Sequence, residues 1–385
     1  MLRGIGKWLG ILVATLLVVI VAAIGVSAVV RGQARQLAAP TGPFAVGRIE
    51  LALTDPARTD PFLSTGKPRE LPVWIWYPTA KGNTAATAPY LPKAWADAAN
   101  NVNGAAAVLF QDTNAIRTNS IASAPLQGTK PPVVVLIPGL GPSVAEYTEL
   151  AEDLASHGYA VVGINPAGSS SVVGFPDGHL VYSTPQGNVA ETNIDAWYAT
   201  AARIVGVWAD DASFVISALG KSPPAIGALD LSRVAYVGHS LGGNASFEAC
   251  AHDSRCVAAV NLDGTIFSEV RRSGLKVPGL ILQADYKAAC DEFCQRRKED
   301  NKAVTLAGPV RDIAVTGAEH YNFTDWSALY APVLHPVGQL GSIDGARVIT
   351  ITRDVVRAFV DQGLRGTPVS TFDETVRRYE ELHAP

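Results

Sequence analysis

Gly238-His239-Ser240-Leu241-Gly242, followed by Gly243, sets a serine between glycines at the spacing G-x-S-x-G. A serine hydroxyl is a poor nucleophile until a base takes its proton. The flanks make the spacing informative. The β-branched run Val234–Val237 reads as a strand, and Leu241–Ala251 reads as the helix that follows it. A sharp strand-to-helix turn lifts the hydroxyl out at the carboxyl end of a sheet. Gly238 and Gly242 keep side chains off the neighbouring backbone. The Leu241 amide then faces the place where a reacting carbonyl would sit. The plain alternative is a turn with an incidental serine.

A base should follow in the chain order Ser, Asp, His. His320 stands four residues past the run Ile313–Thr316, in Gly317-Ala318-Glu319-His320-Tyr321-Asn322-Phe323, where a loop leaves a strand end. His335 is the residual candidate. Two carboxylates compete for the acid. Asp263 ends the run Val257–Leu262 and Asp285 ends Gly279–Ala284. The general layout of such sites favours the later strand, hence Asp285; either residue could instead cap the next helix. A second backbone donor for an oxyanion is available in Pro138-Gly139-Leu140-Gly141-Pro142, after Val133–Ile137. There Leu140 supplies an N–H that proline lacks.

These positions need a frame. Leu71–Tyr77, Val133–Ile137, Tyr159–Ile164, Val234–Val237, Val257–Leu262, Gly279–Gln283 and Ile313–Thr316 read as strands. Between them Ser143–His157, Asn193–Leu219, Leu241–Ala251, Asp291–Lys302 and Ala346–Gln362 read as helices. Continuous apolar strands alternating with helices predict an α/β fold with a mostly parallel, doubly wound sheet covered on both faces. With the elbow at Ser240, that is the α/β-hydrolase fold. Residues 46–385 form the expected catalytic domain. Within it residues 81–130 break the alternation and read as an insertion over the sheet.

Only 17% of the 385 residues are charged, and the net charge is −4. A disordered, charge-rich chain is excluded, and the balance argues against nucleic-acid binding. The charge divides unevenly. Arg3, Lys7, Arg31 and Arg35 are the charged residues of the first 35, so the body is more acidic than the whole. Trp8–Val30 is a run of 23 residues without a charge. As a helix it would span about 34 Å, enough for a hydrocarbon core of roughly 30 Å. Residues 1–35 therefore read as a membrane anchor or, with Val26-Ser27-Ala28 as a cleavage site, a signal segment. Residues 36–45 read as a linker. Four cysteines fit disulfides on the exported side of a membrane. Cys250–Cys256 is the preferred pair, whereas an i,i+4 pair Cys290–Cys294 within a helix would be geometrically poor. The spacings suit no metal site.

The body resembles the plasma-type (lipoprotein-associated) platelet-activating factor acetylhydrolases and their bacterial relatives. The likeness runs from about Leu71 to Asp325. It rests on Leu71–Pro78 (LPVWIWYP), Ile137–Gly141 (IPGLG), Leu154–Val162 (LASHGYAVV), Gly238–Gly243 (GHSLGG), Leu262–Gly264 (LDG) and Gly317–Asp325 (GAEHYNFTD). The resemblance implies a triad of Ser240, Asp263 and His320, with the acid in the L-D-x motif, and leaves Asp285 as the alternative. It implies an oxyanion hole from Leu140 and Leu241, although Pro138 replaces the family's histidine. It also implies hydrolysis of short-chain or oxidised acyl esters of phospholipid-like substrates, without metal or organic cofactor. A membrane tip would hold the site near such substrates, with the catalytic domain extracytoplasmic, or secreted if the tip is cleaved. Phe323, Trp326 and Tyr90–Trp95 are candidate entrance residues. Competing readings are a cutinase-like polyester hydrolase or general carboxylesterase using Asp285, a peptidase or acyltransferase on the same fold, and a non-catalytic anchored relative.

Overall fold

The computed structural model describes residues 31–102, 104–285 and 291–385. Its frame is one twelve-stranded sheet. The strands are β1 (Arg35–Gln36), β2 (Ala45–Thr59), β3 (Pro68–Thr79), β4 (Thr87–Pro89), β5 (Ile116–Ala122), β6 (Pro132–Ile137) and β7 (Ala160–Ile164). A small separate hairpin, β8 (Val172–Gly174) and β9 (Leu180–Tyr182), comes next. Then follow β10 (Asp230–His239), β11 (Cys256–Leu262), β12 (Gly279–Ala284), β13 (Val310–Val315) and β14 (Leu382–His383). The order is β1-β5-β2-β3-β7-β6-β10-β11-β12-β13-β14, with β4 beside β5. From β7 to β13 the six neighbours run parallel. β3 and β14 are antiparallel to their neighbours.

Strand composition explains the layering. In β6, Val133, Val135 and Ile137 enter one core and Val134 and Leu136 the other. A strand buried on both faces must be apolar at every position. The Ile194–Lys221 and Leu241–His252 helices close the first face through Ile204, Trp208 and Phe247. The Thr148–Ser156 and Gly345–Arg365 helices close the second through Leu154, Ile351 and Val355. Two expected helix starts prove to be caps. Asn193 accepts the amides of Asp195 and Ala196, and Asp291 accepts that of Cys294. Their side chains satisfy first-turn donors that have no partner inside a helix.

The segment expected as a linker is packed onto the body. Residues 36–45 lie along the Thr148–Ser156 helix. Leu37 is buried, the Ala38 amide donates to Glu149 at 2.7 Å, and Thr41 donates twice to Asp153. β2, fifteen residues long, pairs antiparallel with β3 with a bulge between Asp55 and Thr59, and nothing in the apolar pattern announced it. The 81–130 segment does more than cover the sheet: β5 pairs parallel with β1 and β2 and widens it. The Lys93–Val102 helix within it sets Trp95 edge-on to Trp74, with centroids 5.3 Å apart.

Cys250 and Cys256 are bonded, with Cα atoms 5.2 Å apart, and tie the end of the Leu241–His252 helix to β11. Cys294 is also disulfide-bonded, while Cys290 lies outside the described residues. The Trp8–Val30 run lies outside them too. Among the described residues no helix is long and apolar enough to cross a membrane.

Candidate active site

Three adjacent parallel strands end together. Gly238 is in register with Ile137, and His239 with Leu262. The residues that follow β6, β10 and β11, namely the Pro138–Pro142 loop, Ser240 and Asp263, therefore emerge side by side at the carboxyl edge. Ser240 has φ 55° and ψ −124°, and Asp263 has φ 54°. For side chains other than glycine such conformations cost about 1–3 kcal/mol each and persist only where surroundings enforce them. The enforcement is visible at Gly264. A Cβ there would lie 2.2 Å from the carbonyl oxygen of Ser240. Asn261 binds both sides of the same glycine, accepting its N–H at 2.7 Å and donating to its carbonyl at 2.9 Å. The Ser240 amide donates to the Leu262 carbonyl at 2.8 Å, locking one turn to the other.

His320 opens the short helical turn His320–Phe323 beyond β13. Its Nδ1 lies 2.6 Å from Asp263 Oδ2. The other oxygen of Asp263 accepts the Ala284 amide at 2.8 Å and Arg297 Nη2 at 2.6 Å. Burial alone would push this carboxyl up. The Arg297 charge and the hydrogen bond from His320 outweigh it and hold the carboxyl well below the usual carboxylate range. Asp285, the other acid considered, instead stands 3.4 Å from His383 Nε2. His335 faces the Leu340 carbonyl. The Ser240 hydroxyl makes no hydrogen bond among the described residues, a common state for a nucleophile before substrate tightens the site.

Leu241 is the first residue of its helix, and no side chain caps it. Its amide is one of the orphan donors of a helix start. The Leu140 amide, in the loop facing Ser240, is likewise without an acceptor among the described residues. A Cβ on Gly139 would come within 3.3 Å of Ser240 Cβ, so the loop and the nucleophile turn are in close contact. Two amides without an acceptor among the described residues, one on the nucleophile turn and one on the loop in contact with it, are candidates to receive a developing oxyanion.

From Leu140 and Tyr321 a cavity of about 390 Å³ runs beneath the Lys93–Val102 helix. Trp95, Phe110, Trp326 and Tyr330 wall it. Tyr321 and Trp326 pack with centroids 4.6 Å apart. Of the expected entrance residues, Leu91, Trp95 and Trp326 line this cavity. Tyr90 and Phe323 are buried in the core beside it. Among the described residues no three His, Cys, Asp or Glu side chains gather as metal ligands would. The sequence reading missed Arg297, Asn261, Tyr147 and His239. Arg297, Tyr147 and His239 act through partners distant in the chain, whereas Asn261, beside the L-D-G motif, binds Gly264 three residues on and carried a local signal.

A family model described as "Platelet-activating factor acetylhydrolase, isoform II" matches residues 29–175 and 225–375. The chain belongs to the platelet-activating factor acetylhydrolase family. A curated relative from Arthroderma benhamiae, named "Probable 1-alkyl-2-acetylglycerophosphocholine esterase", is 25% identical over 88% of this chain and 92% of its own. The platelet-activating factor acetylhydrolase of Cavia porcellus is 23% identical over 61% of this chain and 57% of its own. Among solved structures, a ferulic acid esterase from Streptomyces cinnamoneus matches with a TM-score of 0.77. It is 31% identical and covers 91% of this chain and 99% of that one. The protein is a carboxylic ester hydrolase of the acetylhydrolase type, on an α/β-hydrolase esterase fold.

Proposed function

We propose that Ser240, His320 and Asp263 hydrolyse short-chain or oxidised acyl esters of phospholipid-like alcohols through an acyl-enzyme. The observation that carries this is the 2.6 Å contact between His320 Nδ1 and the buried Asp263 carboxylate, at strand ends adjoining the strained Ser240 turn. Ser240 Oγ attacks the ester carbonyl as His320 Nε2 takes its proton. Asp263 holds the ring and stabilises the imidazolium. The amides of Leu140 and Leu241 receive the oxyanion. His320 then returns the proton to the leaving alcohol, and a water activated by the same nitrogen releases the acid. The names of the two curated relatives support the glycerophospholipid class. The test is turnover of p-nitrophenyl butyrate and of a 1-alkyl-2-acetylglycerophosphocholine by the wild type and by Ser240→Ala. Turnover that survives the substitution refutes the serine mechanism.

A second reading concerns the acyl group. A cavity of about 390 Å³ is far larger than an acetyl group fills and has aromatic walls. The similar solved structure is named for an aromatic acid. Methyl ferulate compared with the acetyl phospholipid in kcat/KM decides between them, and Trp326→Ala should depress only the aromatic ester. The catalytic body is proposed to work outside the cytoplasm, anchored or released. The charge-free Trp8–Val30 run and the Cys250–Cys256 bond support that placement.

A further inference from the structure

The oxyanion loop, the nucleophile turn and the base loop leave three different strands, and one buried chain of hydrogen bonds joins them. The Gly139 amide lies 3.0 Å from the Tyr147 hydroxyl. That oxygen lies 2.8 Å from His239 Nδ1. His239 Nε2 lies 2.9 Å from the backbone carbonyl of His320. Tyr147 and His239 are both buried.

Proton bookkeeping gives the chain a direction. A carbonyl oxygen only accepts, so His239 Nε2 carries the proton. Burial, reinforced by the neighbouring His320, pushes the His239 imidazole down to about 3. The ring is therefore neutral at working pH, and Nδ1 is bare. The Tyr147 O–H donates to it, and the phenol oxygen is left to accept the Gly139 N–H. Every donor meets one acceptor with none duplicated. The sequence places Tyr147 where this can happen. It ends the short helical turn Val144–Tyr147, which Ser143 and Glu146 cap directly after the oxyanion loop.

We propose that Tyr147 and His239 are positioning residues: they fix the Pro138–Gly139 peptide, directly before the one that carries the Leu140 N–H, relative to Ser240, and hold the backbone of His320 in the same frame. The proposal rests on the reading of Leu140 as an oxyanion donor. Neither residue touches substrate. Their effect reaches the transition state through Gly139 on one side and His320 on the other.

The test uses the full chain with Tyr147→Phe, His239→Gln and His239→Leu, p-nitrophenyl butyrate, and a trifluoromethyl ketone analogue that forms an oxyanion on Ser240. Tyr147→Phe removes one hydroxyl and keeps the ring's packing. Its kcat should fall about ten- to a hundredfold, below the 10²–10³ of losing a donor outright, with KM within twofold. Affinity for the ketone should fall by the same factor. His239→Gln can still donate to the His320 carbonyl and should keep more activity than His239→Leu. A folded Tyr147→Phe with kcat within twofold of wild type overturns the proposal, and so does a kcat loss with unchanged ketone affinity. If Tyr147→Phe does not fold, equal losses in the two His239 variants overturn it. A wild type without esterase activity instead refutes the underlying reading, and the relay falls with it.

Discussion

Asp263→Asn is the sharpest perturbation the site offers, because its neighbours dictate how the amide must sit. In the native site Oδ1 receives two donors, the Ala284 N–H and Arg297 Nη2, and Oδ2 faces His320 Nδ1. An asparagine has one oxygen and one NH₂ for these two places. Turning the NH₂ toward Oδ1's place would set it against a backbone amide and a guanidinium, both donors. The oxygen must therefore take that place, and the NH₂ must point at His320 Nδ1. That nitrogen is then forced to accept, so the ring proton moves to Nε2, which is the atom that must be bare to receive the Ser240 proton. The geometry survives and the tautomer is wrong. In a serine triad this costs about 10⁴ in kcat, or about 5 kcal/mol. The assay is steady-state hydrolysis of p-nitrophenyl butyrate, with Asp285→Asn as control and NMR of the ring nitrogens reporting which one is protonated. Expected are a loss near four decades in Asp263→Asn, little change in Asp285→Asn, and a proton on Nε2 in the first. An Asp263→Asn enzyme keeping more than about a tenth of its kcat would refute the assignment, as would an Asp285→Asn enzyme that loses as much.

Three further outcomes concern stability. Cys250→Ser with Cys256→Ser opens a loop of sequence separation 6, which should cost about 2 kcal/mol by loop entropy; a lowered Tm with unchanged kcat is expected. Arg69→Met leaves the buried carboxylates of Asp60 and Asp211 without the guanidinium they share, so denaturant titration should show a loss of about 3–5 kcal/mol. Burial pushes the Asp312 carboxyl up to about 6. A carboxyl raised on folding is an asset while protonated and a liability once ionised. Its cost therefore grows as pH rises from about 4 to about 6 and then stays. Asp312→Asn should raise Tm at pH 8 and leave it unchanged at pH 4.

What could be read from the chain follows the range of the interaction. The proposed nucleophile Ser240 was legible because strand, turn and helix are contiguous, although only Gly238 answers to neighbours a few residues away, while Gly242 is confined by the Ile137 and Pro138 carbonyls. The proposed base His320 was legible for the same reason, as a histidine just past a strand. The acid was not. Asp263 and Asp285 both end strands, and local pattern leaned toward Asp285; only the family likeness reversed it. The choice depends on lateral register, with His239 opposite Leu262, and no local pattern encodes register. β2 escaped for a different reason. It lies toward the sheet edge, and half-exposed strands carry polar residues that dilute the apolar signal. Arg297 sat inside an expected helix, but which carboxylate it would meet, 34 residues back, was set by packing.

The position of the acid also explains residues that otherwise look incidental. With Asp263, at the end of β11, as the proposed acid, the end of β12 has no catalytic part to play and reads as support. Its last residue, Ala284, gives an amide to Asp263, and Gln283 beside it joins Arg297 to Asp312. Asp285 turns toward His383 on the antiparallel edge strand β14. An acid at the end of β12 would leave the Asp263 turn with a strained φ, a buried carboxylate and an arginine with no reaction to serve. A buried charge held at 2.6 Å by a guanidinium and in a costly backbone conformation is retained most readily where it does chemistry. The strain at Asp263, the arginine beside it and the depressed carboxyl are then three expressions of one requirement, a carboxylate that stays ionised and immobile next to His320.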